Sequence, residues 1–87
     1  MTRVAIELLE LLSKQADFAT GLVQRVNNSR IDDLVTLHTV LETLTQLESL
    51  RVVACWATQT SVRTAHYYKI TGEGRRWLAE YHSRKTG

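Results

Sequence analysis

Hydrogen-bonding side chains, almost all of them uncharged, follow one side of the stretch from Thr36 to Leu50. The opposite side carries leucine and valine at spacings of three and four, the period of one face of an α-helix. Hydroxyl, amide and imidazole groups on an exposed helix face can donate to and accept from the edges of DNA bases. The side chains that could read bases in this way are Thr36, His38, Thr39, Glu42 and Gln46.

Basic side chains are concentrated in the second half of the chain, although the net charge is only +2. Residues 1–50 contain four basic and seven acidic side chains, and residues 51–87 contain seven basic and two acidic ones. A basic half is what a polyanion-binding surface requires. Arg63 is the best candidate, because it is the only charge at the predicted tip of a hairpin. The full set of candidates for phosphate contacts is Arg25, Arg30, Arg51, Arg63, Lys69 and Arg75.

No pattern in the chain is typical of a catalytic or metal site. There is no glycine-rich phosphate loop and no Gly-x-Ser-x-Gly motif. His38, His66 and His82 fall on three different predicted elements, without the spacing of metal ligands. The single Cys55 excludes an intramolecular disulfide and is expected to pack as a small hydrophobic residue. We therefore expect no enzyme activity, no metal and no cofactor, and no small-molecule effector is evident.

Two helices are predicted before the organising stretch. Residues 2–15 carry apolar side chains over almost half of the helix circumference. Asp17 is expected to cap a shorter helix from Phe18 to Asn27, with Phe18 on its apolar side. Gly21 inside this helix indicates the close approach of a neighbouring element.

The connection to the third helix contains an apolar residue and two candidate caps. We expect Ile31 to contact the core. Either Asp32 or Thr36 caps the helix that runs to Leu50, since both residue types accept from backbone N–H groups at a helix start. The sequence leaves this choice open.

A β-hairpin and a last helix are predicted after Leu50. Residues 51–59 and 66–70 are rich in β-branched and aromatic side chains, and the polar segment from Gln59 to Thr64 forms the hairpin tip. Alternation places Tyr68 and Ile70 on the inner face. Thr71 then caps a helix from Glu73 to about Ser83.

The element order is helix, helix, helix, two-stranded wing, helix. This order predicts an α+β winged helix-turn-helix, with residues 1–87 as a single domain. No apolar run approaches the roughly 20 residues that cross a bilayer. We expect a cytoplasmic protein without membrane contact, since a single cysteine is compatible with a reducing compartment.

The first helix has more apolar surface than a domain of this size easily buries. A shared surface between two copies would cover the surplus, and most winged helices that read DNA bind as two-fold dimers. We expect a homodimer whose interface includes Leu9, Trp77 and Tyr81.

Two segments resemble the PadR-type winged-helix transcriptional regulators, and more loosely the MarR-type ones. Thr36-Leu37-His38-Thr39, followed by Leu41 and Leu44, is similar to the opening of that family's recognition helix. Tyr67-Tyr68-Lys69-Ile70-Thr71, followed by Gly74, is similar to its second wing strand and next helix start. The resemblance covers about Ala5 to Tyr81. It implies duplex DNA binding and gene regulation in a bacterium, an archaeon, or one of their plasmids or viruses.

The chain departs from the family pattern at both ends of the third helix. His38-Thr39 replaces the usual Tyr-Pro pair, and Glu48-Ser49 stands where a glycine tends to close the helix. The function favoured by the sequence is sequence-specific binding of double-stranded DNA by a repressor or a plasmid- or virus-encoded regulator. The alternative is a winged helix used for protein–protein contact or assembly, which the low net charge and Glu42 favour.

Overall fold

The computed structural model describes residues 1–59, 62 and 64–86. The predicted α+β class is confirmed, with helices followed by an antiparallel hairpin and a last helix. Within the described residues, none of the helices combines the length and the apolar character that a membrane crossing needs. The elements are α1 (Arg3–Lys14), β1 (Asp17–Phe18), α2 (Ala19–Asn27), α3 (Leu37–Ser49), β2 (Val53–Gln59), β3 (Thr64–Ile70) and α4 (Gly72–Thr86).

The core is formed where the apolar sides of the first three helices meet the inner face of the hairpin. Leucines of α1 and α2 and three apolar residues of α3 are fully buried, as their spacing of three and four predicts. Tyr68 and Ile70 are buried from β3, which confirms the predicted alternation. The largest fully buried side chains are Leu8, Leu9, Leu12, Leu22, Val40, Leu44 and Leu47.

The sheet has the strand order β1-β3-β2 with antiparallel pairing throughout. In the hairpin, Cys55 lies opposite Tyr68 and Trp56 lies opposite Tyr67. The third strand, β1, was not predicted, and it pairs Phe18 with Tyr67 on the other edge of β3. The short β1 fastens the segment between α1 and α2 to the wing.

Thr71 joins three elements at the start of α4. Its hydroxyl accepts from the Gly74 N–H at 3.1 Å, which confirms the predicted cap. The same hydroxyl donates to the Arg51 carbonyl at 2.7 Å, and the Thr71 N–H donates to the Val52 carbonyl at 3.1 Å. A Cβ on Gly74 would meet the Val52 carbonyl oxygen and lie 2.7 Å from Cγ1 of Ile70. Gly74 therefore lets α4 begin directly against the exit of α3.

Asp17 does not cap α2, contrary to prediction. The residue at the cap position is Phe18, and it makes no side-chain capping hydrogen bond. The Asp17 carboxylate accepts instead from the Phe18 N–H at 2.7 Å and occupies the space that a Cβ on Gly21 would need. The close approach predicted at Gly21 is thus confirmed.

Two apolar residues that were expected in the core are exposed. Ile31 has 91% of its surface exposed, because the turn between α2 and α3 carries it away from the domain. Phe18 is 40% exposed and contacts Tyr67 across the β1–β3 pair, with ring centroids 5.0 Å apart and the ring planes tilted by 60°. Pairing in the sheet has taken Phe18 out of the helix that the sequence pattern assigned to it.

Candidate nucleic-acid interface

Both ends of α3 are fixed by specific hydrogen bonds. Thr36 caps the start, since its hydroxyl accepts from the Thr39 N–H at 3.2 Å, and this settles the choice between Asp32 and Thr36. At the other end Arg51 adopts φ 62°. The Arg51 N–H donates to the Glu48 carbonyl at 2.9 Å, and the Val52 N–H donates to the Leu47 carbonyl at 3.2 Å. These two bonds form a Schellman motif in which arginine occupies the position that glycine usually holds.

The outward face of α3 is a narrow polar surface, defined by the exposed residues His38, Thr39, Glu42, Thr45, Gln46 and Ser49. At 3.6 residues per turn these six side chains span about 120° of the helix circumference. Five side chains were predicted to read bases, and four of them lie on this outward face. The fifth, Thr36, lies at the cap. The structure places Ser49 next to Glu42 in the middle of the face and Thr45 at its edge towards Leu41, as helical spacing alone could have found.

The polar side chains of this face differ in whether they already make hydrogen bonds within the protein. The Thr45 hydroxyl donates to the Leu41 carbonyl at 3.0 Å, and the Ser49 hydroxyl donates to the Thr45 carbonyl at 3.1 Å. Nε2 of His38 lies 2.6 Å from Oε1 of Glu42, one helical turn away. Within the part of the chain that the structure describes, the Gln46 amide makes no hydrogen bond.

An apolar strip flanks the polar face on the side of the wing. Leu37 and Leu41 were predicted to face the core, yet they remain 41% and 37% exposed. They line an open groove of about 340 Å³ together with Phe18, Ala19, Thr20, Ala65 and His66. Sequence spacing could not separate this strip from the core, because the leucine stripe of α3 is wider than the surface that its neighbours cover.

Three of the predicted phosphate-contacting side chains are exposed and lie on different elements. Arg51 follows α3, Lys69 lies on the outer face of β3, and Arg75 lies in the first turns of α4. Arg75 donates one hydrogen bond to the Ser13 carbonyl at 3.2 Å. Arg63, the strongest candidate from the sequence, lies outside the described residues.

The other two predicted phosphate contacts, Arg25 and Arg30, are engaged inside the domain. Arg25 donates to the Leu11 carbonyl at 3.0 Å and the Gln15 carbonyl at 3.3 Å, and it pairs with Asp17 at 3.3 Å. It therefore binds the C-terminal carbonyls of α1, which attract positive charge.

Arg30 has only 15% of its side chain exposed. Its guanidinium contacts both carboxylate oxygens of Glu7 at 2.8 Å and the Asp33 carboxylate at 3.2 Å. The hydrogen bond to Glu7 raises the pKa of Arg30 above its ordinary value. Arg30 therefore links the connection between α2 and α3 to α1.

The three residues expected at a dimer interface do not share one environment. Leu9 is 0% exposed, so the expectation for Leu9 is wrong: its side chain belongs to the core and cannot reach a second copy. Trp77 and Tyr81 are partly buried on α4 and stack nearly parallel, with ring centroids 5.5 Å apart. These two rings form a partly exposed aromatic surface next to α1.

Cys55 lies in a small polar cluster on the sheet. Its sulfur is 3.6 Å from Nδ1 of His66. Burial raises the pKa of Cys55, and the nearby Glu48 carboxylate acts in the same direction. Burial, followed by Cys55 and Glu48, raises the pKa of Tyr68 to about 12. Cys55 and Tyr68 are thus held in their neutral forms, and the Glu48 carboxylate is placed on the sheet side of α3.

Comparison with known proteins finds similarity in three-dimensional structure. No family model and no curated protein matches the sequence. A PadR-like transcription factor from Bacteroides fragilis superposes with a TM-score of 0.87 and 23% identity, over 94% of this chain and 79% of that one. A PadR family regulator from Clostridium difficile R20291 gives a TM-score of 0.81 and 19% identity, over 95% and 86%.

A third solved structure, the adhesin competence repressor from Streptococcus pyogenes, is similar with a TM-score of 0.72 and 21% identity, over 99% of this chain and 60% of that one. At these identities the likeness establishes the fold. The resemblance inferred from the recognition-helix and wing segments is therefore confirmed in three dimensions: this chain has the winged-helix fold of the PadR-type transcriptional regulators.

Proposed function

We propose that this chain binds double-stranded DNA in a sequence-specific way and regulates transcription in the cytoplasm, as a repressor or a plasmid- or virus-encoded regulator. The observation that carries the proposal is the outward face of α3. It projects hydrogen-bonding groups, of which only Glu42 is acidic and none is Lys or Arg, from the position that the recognition helix holds in this fold. The similarity to solved transcription regulators supports the same function.

In this proposal α3 enters the major groove. Gln46 can contact adenine through both atoms of its amide, Thr39 can serve as donor or acceptor, and Glu42 can accept from cytosine. His38 acts through its contact with Glu42. Thr36 holds the start of the helix rather than a base, since its hydroxyl is used by the cap.

The phosphate backbone is contacted from the flanks of α3. The proposed contacts are Arg51 at the exit of α3, Lys69 on the wing, Arg75 at the start of α4, and Arg63 at the wing tip. Arg25 and Arg30 are left out, because their guanidinium groups already have carboxylate partners inside the domain. Contacts of this type position a protein on DNA without selecting a sequence.

A winged-helix assembly module without DNA binding is the second candidate function. The exposed apolar strip of Leu37 and Leu41 is compatible with it, since exposed apolar surface often marks a protein–protein contact. The same strip could also contact a thymine methyl group. The absence of Lys and Arg from α3 also favours it. Affinity for DNA separates the two functions.

Binding to duplex DNA at several salt concentrations tests the proposal. A dimer making roughly 6–10 phosphate contacts loses about 10³–10⁵ in affinity between 50 and 200 mM salt. Thr39→Ala and Gln46→Ala should each relax preference at particular base pairs by about 1–3 kcal/mol. Arg63→Ala should weaken all sequences alike and lower the salt slope by about one.

Two results would contradict this picture. No binding to any duplex at low salt would favour the assembly module. A change of base preference in Arg63→Ala, with none in the α3 variants, would show that another surface reads the sequence. Circular dichroism of each variant keeps loss of folding apart from loss of contact.

We also propose that the protein acts as a homodimer through the aromatic surface of Trp77 and Tyr81. Half-buried aromatic pairs are typical of interface anchors. Trp77→Ala should weaken dimers at micromolar concentration in sedimentation experiments, while Trp56→Ala, on the exposed face of the wing, should not. A wild-type monomer at high concentration would contradict this part of the proposal.

A further inference from the structure

Two hydroxyl groups on the side of the polar face towards Leu41, those of Thr45 and Ser49, are already used as donors. Thr45 donates to the Leu41 carbonyl and Ser49 donates to the Thr45 carbonyl. A carbonyl oxygen has no proton, so the donor in each bond must be the hydroxyl. Each hydroxyl has a single proton, and the free lone pair of its oxygen is what remains for a ligand.

Glu42 adds further acceptors at the same place. Its ionised carboxylate can only accept hydrogen bonds. Oε1 already accepts one from Nε2 of His38, 2.6 Å away. The second carboxylate oxygen remains available.

Donors are confined to the edge of the polar face. Leu37–Ser49 contains no Lys or Arg, so α3 lacks the side chains that most often read guanine. The remaining donors are the Gln46 amide and the Thr39 hydroxyl, which accepts from the Thr36 hydroxyl at 3.1 Å and keeps its own proton. The side of the face formed by Thr45, Ser49 and Glu42 therefore accepts and does not donate.

The major groove offers donors at only two kinds of atom. They are the exocyclic amines N4 of cytosine and N6 of adenine, whereas guanine presents two acceptors, N7 and O6. A carboxylate discriminates between the two amines, because adenine places its N7 acceptor beside N6 and would repel the charge. Cytosine has no acceptor in the groove next to N4.

The cost of the carboxylate supports a specific role. A negative charge on a surface that meets phosphates weakens binding to every sequence. Glu42 is exposed and contributes no buried contact that would explain it. We infer, resting on the proposed function, that Glu42 selects cytosine by accepting from its N4 amine, with Thr45 and Ser49 extending this acceptor surface along the groove and His38 positioning the carboxylate.

The experiment starts with selection from a pool of duplexes randomised over about two helical turns. The bound sequences should carry cytosine at one position of each half-site. Replacing that C·G pair should weaken wild-type binding roughly 5- to 150-fold. Glu42→Ala should abolish the discrimination at this position alone, and should bind unrelated duplexes more tightly than the wild type does.

Glu48→Ala is the matched control. It removes the same charge from the same helix, but the Glu48 carboxylate lies beside Cys55 and Tyr68 on the sheet side. We expect tighter binding to all duplexes with unchanged base preference. Replacing the selected cytosine by pyrimidin-2-one, which lacks the amine, should weaken the wild type as much as a change of base does and should leave Glu42→Ala unaffected.

The outcomes separate this inference from the proposed function. A guanine at the position that depends on Glu42, or an unchanged base preference in Glu42→Ala, would overturn the cytosine contact while DNA binding stands. No duplex binding by the wild type would contradict the proposed function and the inference with it.

Discussion

Basic side chains of the two halves of the molecule, Arg25 and Arg30 against Arg51 and Lys69, lie in opposite environments. In the first half, Arg25 and Arg30 are mostly buried and bind carboxylates and carbonyl groups of other elements. In the second half, Arg51 directly after α3 and Lys69 on the outer face of β3 are exposed. The four side chains looked equivalent in the sequence, where each was a candidate for a phosphate contact.

The difference comes from the distribution of acids. The first 50 residues contain seven of the nine acidic side chains, and three of these, Glu7, Asp17 and Asp33, are partners of the two arginines. The second half contains only two acids. Within the described part of the chain, the ion pairs involve residues such as Arg25 and Arg30, and none involves Arg51 or Lys69. A basic residue is thus a candidate for a phosphate contact only when it has no carboxylate partner within the protein.

The largest expected effect is on stability, at Arg25. Arg25→Met keeps the aliphatic part of the side chain but removes the hydrogen bonds to carbonyl groups at the C-terminal end of α1. It should lower the free energy of unfolding by about 1.5–3 kcal/mol. Urea denaturation measures this change. Arg76→Met, at an exposed position of α4, is the control and should change stability by less than about 0.5 kcal/mol. Equal effects of the two variants would break the comparison.

The next effect is on affinity, at Lys69. Lys69→Ala removes an exposed charge from β3 and should leave stability nearly unchanged. Loss of one phosphate contact should weaken binding to every duplex by about tenfold at 0.1 M salt and reduce the salt slope by about one. Fluorescence anisotropy at several salt concentrations measures both quantities. A loss that depends on the DNA sequence would contradict the assignment of Lys69 to the backbone.

The smallest effect sharpens the comparison at Arg51. A left-handed backbone costs a non-glycine residue about 1–2 kcal/mol. Glycine removes this cost, but part of the gain is offset because glycine loses more backbone entropy on folding. Arg51→Gly should therefore raise the free energy of unfolding by about 0.5–1 kcal/mol while it weakens DNA binding. Denaturation and binding measured on one sample check the opposite signs. A gain in stability without loss of affinity would remove Arg51 from the proposed interface.

Features that depend on nearby residues were predictable from the sequence. The cap at Thr71, the inward orientation of Tyr68 and Ile70, and the order of the elements all follow from local spacing. The polar face of α3 was predictable for the same reason, because helical period alone places its side chains together.

Features that depend on distant partners were not predictable. The strand β1 exists only through pairing with β3, some 50 residues later in the chain. Arg30 and Glu7 form an ion pair although they are 23 residues apart in the sequence, and no local sequence pattern predicts this contact. The exposure of Leu37 and Leu41 depends on how much of α3 the other elements cover. The backbone at Arg51 was hidden because arginine stands where glycine would have signalled the turn.

The contacts of Thr71 have a mechanical consequence. Its hydroxyl ties the exit of α3 to the first turn of α4, and its N–H holds the same exit through Val52. A displacement of α4 would therefore reach α3, the proposed recognition helix, through these few hydrogen bonds. In the proposed dimer joined through α4, they would set the distance between the two copies of α3 and with it the separation of half-sites along the DNA.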